Sequence, residues 1–259
     1  MTFDKEPIFI IGYPKSGNTW LSRICASALD SPIVTGDDSI NQAGRKDVYT
    51  GQFDIYKIHF SSRDRPNYVT DDSKKIYIVR DFRDVLISGY FFNHKIREEH
   101  LMLKNQNNLL NRIYRAYFYH QIRRMINCWT ADELIVLIDF FKKKKVFVGN
   151  WSDHVRYWMS CSNVVMVKYE DLLQNPYNIM QLSFSRLGVS CSNDRLRGVI
   201  DEQSFSKKKD SFISQGDDIN IRFLRKGNIG DWKHFLNDDI LKIIRKQHGQ
   251  VMNLLGYEI

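Results

Sequence analysis

The sequence predicts an α/β protein with a central parallel sheet flanked by helices on both faces. Two short apolar runs, at residues 7–11 and 75–79, are each followed by a turn and then by a stretch with helical periodicity. The first run contains Ile-Phe-Ile-Ile without a polar residue, which is typical of a strand that is covered on both faces. Ligands of such a sheet are expected at the carboxyl ends of its strands.

The remaining elements follow from the same patterns. Further strands are predicted at residues 54–60 and 164–167. Two polar segments, 94–108 and 206–222, are predicted to be long surface loops, and whether they act as lids is left open. Because the chain has no linker-like or repetitive segment, residues 1–259 are predicted to form a single domain. Helices are predicted at residues 19–29, 83–92, 109–128, 131–143, 152–160, 176–187 and 239–255.

Composition narrows the class of protein. No run of about 18 apolar residues is present, and the apolar stretch at residues 8–11 lacks the basic start and cleavage site of a secretion signal. We therefore expect a soluble, cytoplasmic protein without a membrane span. A net charge of +8 suits a polyanionic ligand. The basic clusters at 142–145 and 207–209 have no interleaved aromatic residues, so nucleic acid is not the expected partner.

The four cysteines are far apart in the sequence. None of them forms the C-x-x-C spacing of a zinc site or a dithiol redox site. We expect them to be reduced core residues, and we expect no metal site. They are Cys25, Cys128, Cys161 and Cys191.

The segment Gly12-Tyr-Pro-Lys-Ser-Gly-Asn-Thr-Trp20 turns from the first strand into a helix. Successive backbone N–H groups and the positive end of the helix can surround a phosphate there. The spacing of Gly12 and Gly17 matches a P-loop, yet Asn18 stands where a nucleoside-triphosphate P-loop has lysine. The cation of this loop is Lys15. The pattern indicates a related anion cradle without the lysine that grips a terminal phosphate beside magnesium.

Two further segments carry cations that suit a second phosphate. Arg80 ends a predicted strand, and Ser88 lies eight residues later in the following helix. An arginine fork and a hydroxyl are strong phosphate donors, although Arg80 alone would as readily pair with a neighbouring aspartate, Asp81 or Asp84. The segment Leu224-Arg-Lys-Gly-Asn-Ile-Gly-Asp-Trp-Lys233 adds two cations and a glycine that permits close backbone approach.

The predicted strand at 54–60 places Ile55, Lys57 and His59 on one face and Tyr56 and Ile58 on the other. Histidine titrates nearest to neutral pH, so it is the natural general base. A lone histidine at a strand end is more often structural. The other histidines, at positions 94, 100, 120, 154, 234 and 248, lie in no comparable context.

Taken together, these segments resemble the cytosolic sulfotransferase family, whose enzymes use 3'-phosphoadenosine 5'-phosphosulfate (PAPS). The family patterns are Tyr-Pro-Lys-Ser-Gly-Thr-Thr-Trp, Lys-Thr-His and Arg-Lys-Gly-x-x-Gly-Asp-Trp-Lys. Asn18 and Ile58 replace their threonines. Segments 149–158 and 167–173 resemble the family more weakly. The usual dimerisation signature after the third pattern lacks its Thr-Val pair here, so the oligomeric state is left open.

The resemblance implies transfer of a sulfuryl group from PAPS to a hydroxyl or amine of a small molecule, with release of 3',5'-ADP and no metal. It implies that His59 is the catalytic base and that Lys15 and Lys57 stabilise charge on the leaving phosphate. The alternatives are a P-loop small-molecule kinase and a non-catalytic nucleotide-binding protein; the acceptor, and O- against N-sulfation, are left open. The implied cofactor contacts are Lys15, Ser16, Gly17, Asn18 and Thr19 at the 5' side, Trp20, Tyr169 and Phe205 at the adenine, and Arg80, Ser88, Arg225, Lys226 and Gly227 at the 3'-phosphate.

Overall fold

A computed structural model describes residues 3–35, 49–60, 65–103, 150–216 and 227–258, with the backbone alone for residues 93–103. The chain divides into two compact units. The first unit comprises Met1–Asp81 and Lys145–Asp217, and the second comprises Phe82–Lys144 and Asp218–Ile259. The predicted helices at 109–128 and 131–143 lie outside the described residues.

The first unit contains a five-stranded sheet in the order β2-β3-β1-β4-β5. All four strand pairs are parallel, so the predicted parallel sheet is confirmed. The short strand β2 was not predicted. The strands are β1 Glu6–Gly12, β2 Ile33–Thr35, β3 Phe53–Ile58, β4 Lys74–Val79 and β5 Val164–Lys168.

The predicted helices at 19–29, 83–92, 152–160, 176–187 and 239–255 are present, whereas the helices at Tyr169–Gln174 and Asn193–Glu202 were not predicted. The bounds of the described helices are α1 Asn18–Leu29, α2 Phe82–Leu103, α3 Trp151–Ser160, α4 Tyr169–Gln174, α5 Pro176–Leu187, α6 Asn193–Glu202, α7 Phe205–Ser214 and α8 Asp238–Leu254, with a 3-10 helix at Asp231–His234. Helices α2 and α8 and the 3-10 helix belong to the second unit.

Both loop predictions were wrong where the structure describes the chain. Helix α2 continues to Leu103 and covers the start of the predicted loop 94–108. Helix α7 covers residues 206–214 of the predicted loop 206–222. Both stretches are rich in lysine, arginine or glutamate, which are good helix formers even where apolar periodicity is weak. In α7 one aromatic side chain is enough to anchor the helix, since Phe212 is buried and the Arg23 guanidinium lies 5.0 Å from its ring centroid.

One face of the sheet is covered by α1, α5 and α6. Ile8 and Ile10 of β1 and Ile76 and Ile78 of β4 pack into a single cluster with apolar residues of these helices. The alternation of side chains along each strand places every second residue on this face. Each of these four isoleucines is fully buried, so this face forms the main hydrophobic core of the first unit.

The opposite face of the sheet packs against aromatic residues. The ring of Phe9 lies 5.5 Å from that of Tyr56, and Tyr77 stacks on Trp158 of α3 at 6.2 Å between centroids. Trp151 and Trp158 of α3 are 1% and 0% exposed, so both side chains belong to the core on this face. The sheet of the first unit is therefore covered on both faces, as its unbroken apolar strands predict.

The second unit is organised around the start of α2 and one face of α8. The Phe82 ring lies 4.0 Å from the ring of His248, and Phe91 contacts Phe235 edge-on at 5.3 Å. Ile240 and Ile244 of α8 are buried at helical spacing.

The cysteine prediction was partly right. Cys25, Cys161 and Cys191 are free thiols, but Cys25 alone among them is buried. Burial raises the pKa of the Cys25 thiol, so this thiol is unreactive. Within the described residues, no helix has the length and apolar character needed to cross a bilayer.

Candidate functional site

The predicted site residues of the first unit converge on the carboxyl edge of the sheet. β3, β1, β4 and β5 are neighbouring parallel strands, so the segments that leave them meet at one edge. Residues 13–17 follow β1, and His59, Arg80 and Tyr169 follow β3, β4 and β5.

The loop at residues 13–17 has the backbone of an anion cradle. Lys15 and Gly17 adopt left-handed conformations, with φ of 72° and 107°, and the Ser16 N–H donates to the Tyr13 carbonyl at 3.1 Å. A non-glycine residue in this conformation costs about 1 kcal/mol, and such strain is common at functional sites. Alternation of this kind turns successive N–H groups toward one concave side.

Helix α1 adds the positive end of its dipole to this loop. It begins at Asn18, and its N-cap residue is Gly17, which has no side chain to accept from the N–H groups of the first turn. The first turn carries no acidic residue. Such an end favours an anionic group.

Two details fit the loop to a bound phosphate group. The Ser16 hydroxyl is fully buried, and its Oγ has no hydrogen-bond partner among the described residues. A Cβ added to Gly17 would lie 2.7 Å from Cδ2 of Tyr169, so the backbone passes closer to that ring than any other residue would allow. A buried hydroxyl donor beside a close-fitting backbone is the arrangement that a phosphate requires.

Trp20 and Tyr169 form an aromatic corner beside the loop. Their rings meet edge to face at 5.9 Å, and the Arg80 guanidinium lies 4.2 Å from the Tyr169 ring centroid. Trp20 Nε1 donates to the Gln203 carbonyl at 2.9 Å, and Phe205 begins α7 two residues later. The structure thus brings Trp20 and Tyr169, two of the three residues predicted for the adenine, into contact, with Arg80 against the Tyr169 ring.

His59 is held by the end of the neighbouring strand. Its Nδ1 lies 2.8 Å from the Gly12 carbonyl oxygen, and since a carbonyl only accepts, Nδ1 carries the proton in the neutral ring. The lone pair is then on Nε2, the atom that can take a proton from an acceptor. Lys57 pairs with Ile10 in the register of β3 and β1. Both His59 and Lys57 are half-buried.

Asn18 and Thr19 occupy the first turn of α1. Thr19 is half-buried, whereas Asn18 is 3% exposed. The Asn18 amide donates to the Gly12 carbonyl at 3.2 Å and to the Ile58 carbonyl at 3.4 Å. Its side-chain N–H groups are therefore directed into the protein.

The sequence analysis missed His154 of α3, which interacts with His59. Its Nδ1 is 2.7 Å from the Tyr77 hydroxyl, and its ring meets the Tyr13 ring edge-on at 5.6 Å. Burial lowers the pKa of His154 from 6.5 to about 3, although the backbone of His59 and Phe60 acts in the opposite direction. His154 is therefore neutral at physiological pH. The segment 149–158 carried a signal for it, because this segment already resembled the family.

Trp158 belongs to the same support. Its Nε1 donates to the Phe60 carbonyl at 3.0 Å. One turn of α3 thus separates two side chains that interact with the backbone of residues 59 and 60.

In the second unit, α2 carries Ser88, which is half-buried. The first turn of α2 also holds the segment that begins at Gly227, because the Asp84 carboxylate accepts from the N–H groups of Gly230 at 2.7 Å and Trp232 at 3.1 Å. Gly227 has a φ of 66°, a left-handed conformation that favours glycine. Arg225 and Lys226 lie outside the described residues. The sequence analysis named Asp84 only as an alternative partner of Arg80 and did not predict that it holds this segment.

The parallel sheet and the anion cradle between β1 and α1 form the arrangement of a nucleotide-binding α/β protein. The model of the sulfotransferase domain family matches residues 5–256. The chain therefore belongs to the sulfotransferase domain family, and it is a PAPS-dependent sulfotransferase.

Two named relatives show the distance to proteins of this family. The chain is 28% identical to Sulfotransferase 2A1 of Mus musculus over 261 residues. This alignment covers 89% of the chain and 79% of the relative. The chain is 26% identical over 251 residues to 3-beta-hydroxysteroid sulfotransferase of Cavia porcellus, which covers 88% and 77%.

Solved structures confirm the fold. The mouse sulfotransferase SULT7A1 complexed with PAP (3',5'-ADP) aligns with a TM-score of 0.66 at 21% identity and covers 97% of this chain and 86% of its own. Retinol dehydratase in complex with androsterone and inactive cofactor PAP aligns with a TM-score of 0.59 at 15% identity and covers 95% and 80%.

Proposed function

We propose that this sulfotransferase modifies a hydroxyl or amine of a small molecule with His59 as its general base. The observation that carries the proposal is the hydrogen bond from His59 Nδ1 to the Gly12 carbonyl at 2.8 Å. It holds the ring beside the start of the phosphosulfate loop with its lone pair on Nε2. A base in that place can remove the acceptor proton as the new bond forms.

The proposed binding residues fall into separate groups for the 5' side, the adenine and the 3'-phosphate of PAPS. Lys15, Ser16, Gly17 and Thr19 would hold the 5' side through the loop, the Ser16 hydroxyl and the helix end, and Asn18 would contribute its backbone N–H. Trp20, Tyr169 and Phe205 would face the adenine. Arg80, Ser88, Arg225, Lys226 and Gly227 would hold the 3'-phosphate.

PAPS supplies the sulfuryl group, and its 3',5'-ADP moiety leaves with the electron pair of the broken S–O bond. The acceptor oxygen or nitrogen forms the new bond to sulfur, and its proton passes to Nε2 of His59. Lys15 and Lys57 stabilise the negative charge that builds on the leaving phosphate oxygen. The negative charge on the 5' side of PAPS would thus be stabilised by lysine side chains, hydroxyl groups and backbone N–H groups.

The first acceptors to test are hydroxysteroids, since one relative is named 3-beta-hydroxysteroid sulfotransferase. At 26% identity, acceptor preference can differ entirely, because specificity resides in the residues that line the acceptor site. A radiolabelled-PAPS screen should therefore also include phenols, glycosides and amines.

Replacement of His59 by alanine tests the catalytic role. Sulfuryl transfer should fall at least about a hundred-fold, as is usual for loss of a general base, while the affinity for 3',5'-ADP stays near that of the wild type. His234→Ala is a matched control, because His234 is exposed and lies outside the proposed machinery. Unchanged turnover in His59→Ala would remove His59 from its role.

Ligand binding separates the proposal from its two alternatives. Thermal stabilisation by 3',5'-ADP but not by Mg-ATP is expected, and the reverse result would favour a P-loop kinase. A non-catalytic nucleotide-binding protein would bind 3',5'-ADP and transfer nothing in the acceptor screen.

Domain organisation and location complete the proposal. We propose that residues 1–259 act as one sulfotransferase domain, supported by the family match over residues 5–256. A cytoplasmic location is supported by the free thiols of Cys25, Cys161 and Cys191, since free thiols persist in reducing compartments. Cell fractionation tests the location.

A further inference from the structure

Asn18 is the residue at which the phosphosulfate loop departs from the family pattern. Its side chain is 3% exposed and reaches the ends of two neighbouring strands. The amide lies 3.2 Å from the Gly12 carbonyl at the end of β1 and 3.4 Å from the Ile58 carbonyl at the end of β3. Because both neighbours are acceptors, the atom that faces them is the donor Nδ2.

The Gly12 carbonyl is shared between Asn18 and His59. It accepts from Asn18 Nδ2 and lies 2.8 Å from His59 Nδ1, and a carbonyl oxygen has lone pairs for both. The second carbonyl that Asn18 contacts belongs to Ile58, the residue directly before His59. The amide therefore holds both the acceptor of the His59 ring and the peptide that carries it.

The close contact between Asn18 and the end of β1 depends on Gly12 as well as on Asn18. A Cβ added to Gly12 would lie 2.8 Å from Asn18 Oδ1. That oxygen is buried and has no hydrogen-bond partner among the described residues. The side chain thus leaves one polar atom unsatisfied in order to place Nδ2 between the two strand ends.

We propose that Asn18 is a positioning residue for His59: its amide ties the Gly12 and Ile58 carbonyls together and so fixes the ring with Nε2 as the basic atom. The threonine of the family pattern has one hydroxyl donor, which cannot donate to both carbonyls at once. The inference rests on the proposed role of His59 as the base. It assigns to the Asn18 side chain a different task from contact with the 5'-phosphate.

The test compares Asn18→Ala and Asn18→Thr with the wild type. Single-turnover rates at saturating PAPS and the Kd of 3',5'-ADP are measured for each protein. Loss of the amide should lower the rate about ten-fold, as for a hydrogen bond of ordinary strength, and should leave the Kd near the wild-type value. Asn18→Thr serves if the alanine variant folds poorly, and 3',5'-ADP binding reports that each variant is folded.

Ser22→Ala is the matched control. Ser22 is a fully buried polar residue of the same helix, and its Oγ has no hydrogen-bond partner in the described part of the chain. Its replacement perturbs the packing of α1 without removing a hydrogen bond to Gly12 or Ile58. Its single-turnover rate should stay at the wild-type value.

A double-mutant cycle separates this inference from the role of His59. If Asn18 acts through His59, Asn18→Ala should lower the residual rate of His59→Ala no further. An equal loss in both backgrounds would overturn the inference, as would a higher Kd for 3',5'-ADP with an unchanged rate. Wild-type turnover in His59→Ala would instead refute the proposed base.

Discussion

His154 gives the sharpest prediction about stability, because its pKa differs between the folded and unfolded chain. Burial lowers the folded value to about 3 from the ordinary 6.5. The unfolded chain therefore binds one proton more between these two pH values, and the free energy of unfolding falls as the pH is lowered below 6.5. Above pH 6.5 the contribution is fully present.

The magnitude follows from the two pKa values. Each pH unit between them corresponds to about 1.4 kcal/mol. Lowering the pH from 7.5 to 5.0 should therefore remove about 2 kcal/mol of stability through this residue alone.

Urea unfolding of the wild type and of His154→Asn at both pH values measures the effect. Asparagine can accept from the Tyr77 hydroxyl but does not titrate. The variant should be less stable at pH 7.5, since the ring that packs on Tyr13 and Tyr77 is lost. Other titrating groups cancel in the difference, so the gap between the proteins should narrow by about 2 kcal/mol at pH 5.0. Parallel pH profiles would refute the reasoning.

Two glycine substitutions follow from the backbone. Gly17→Ala should weaken 3',5'-ADP binding and lower the melting temperature more than Gly188→Ala does. Both glycines have positive φ, but only at Gly17 would a new Cβ collide with the Tyr169 ring. Equal losses of affinity in calorimetry and of melting temperature in the two variants would contradict this reasoning. Gly198→Ala should raise the free energy of unfolding by about 0.5 to 1 kcal/mol, since this exposed position lies inside α6 with open space around it; an unchanged urea midpoint would contradict it.

The strands and the loop after β1 were predictable because their signals are local. The apolar run at Ile8 to Ile11 and the glycines at 12 and 17 are features of one short segment. Parallel pairing then brings the residues after each strand to the same edge, while the roles of His59, Arg80 and Tyr169 in one site were implied by the resemblance to the family.

The missed features are those that tertiary contacts decide. Strand β2 has only three residues and is defined by its parallel pairing with β3. A run of three residues is too short to show the alternation of a strand. Helix α7 lacks a clear apolar stripe and is anchored mainly through Phe212. The inward direction of the Asn18 amide depends on the Ile58 carbonyl, 40 residues away in sequence.

His59, which follows β3, and His154 of α3 show how burial assigns different tasks to one residue type. His59 is half-buried with its Nδ1 on a backbone carbonyl, whereas His154 is 1% exposed and neutral. A proton on His59 is disfavoured by any positive charge nearby, and the two residues interact electrostatically. Because its pKa is about 3, His154 carries no positive charge at neutral pH. At neutral pH His154 therefore places no second cation near the proposed base, while its burial makes the fold less stable as the pH falls below 6.5.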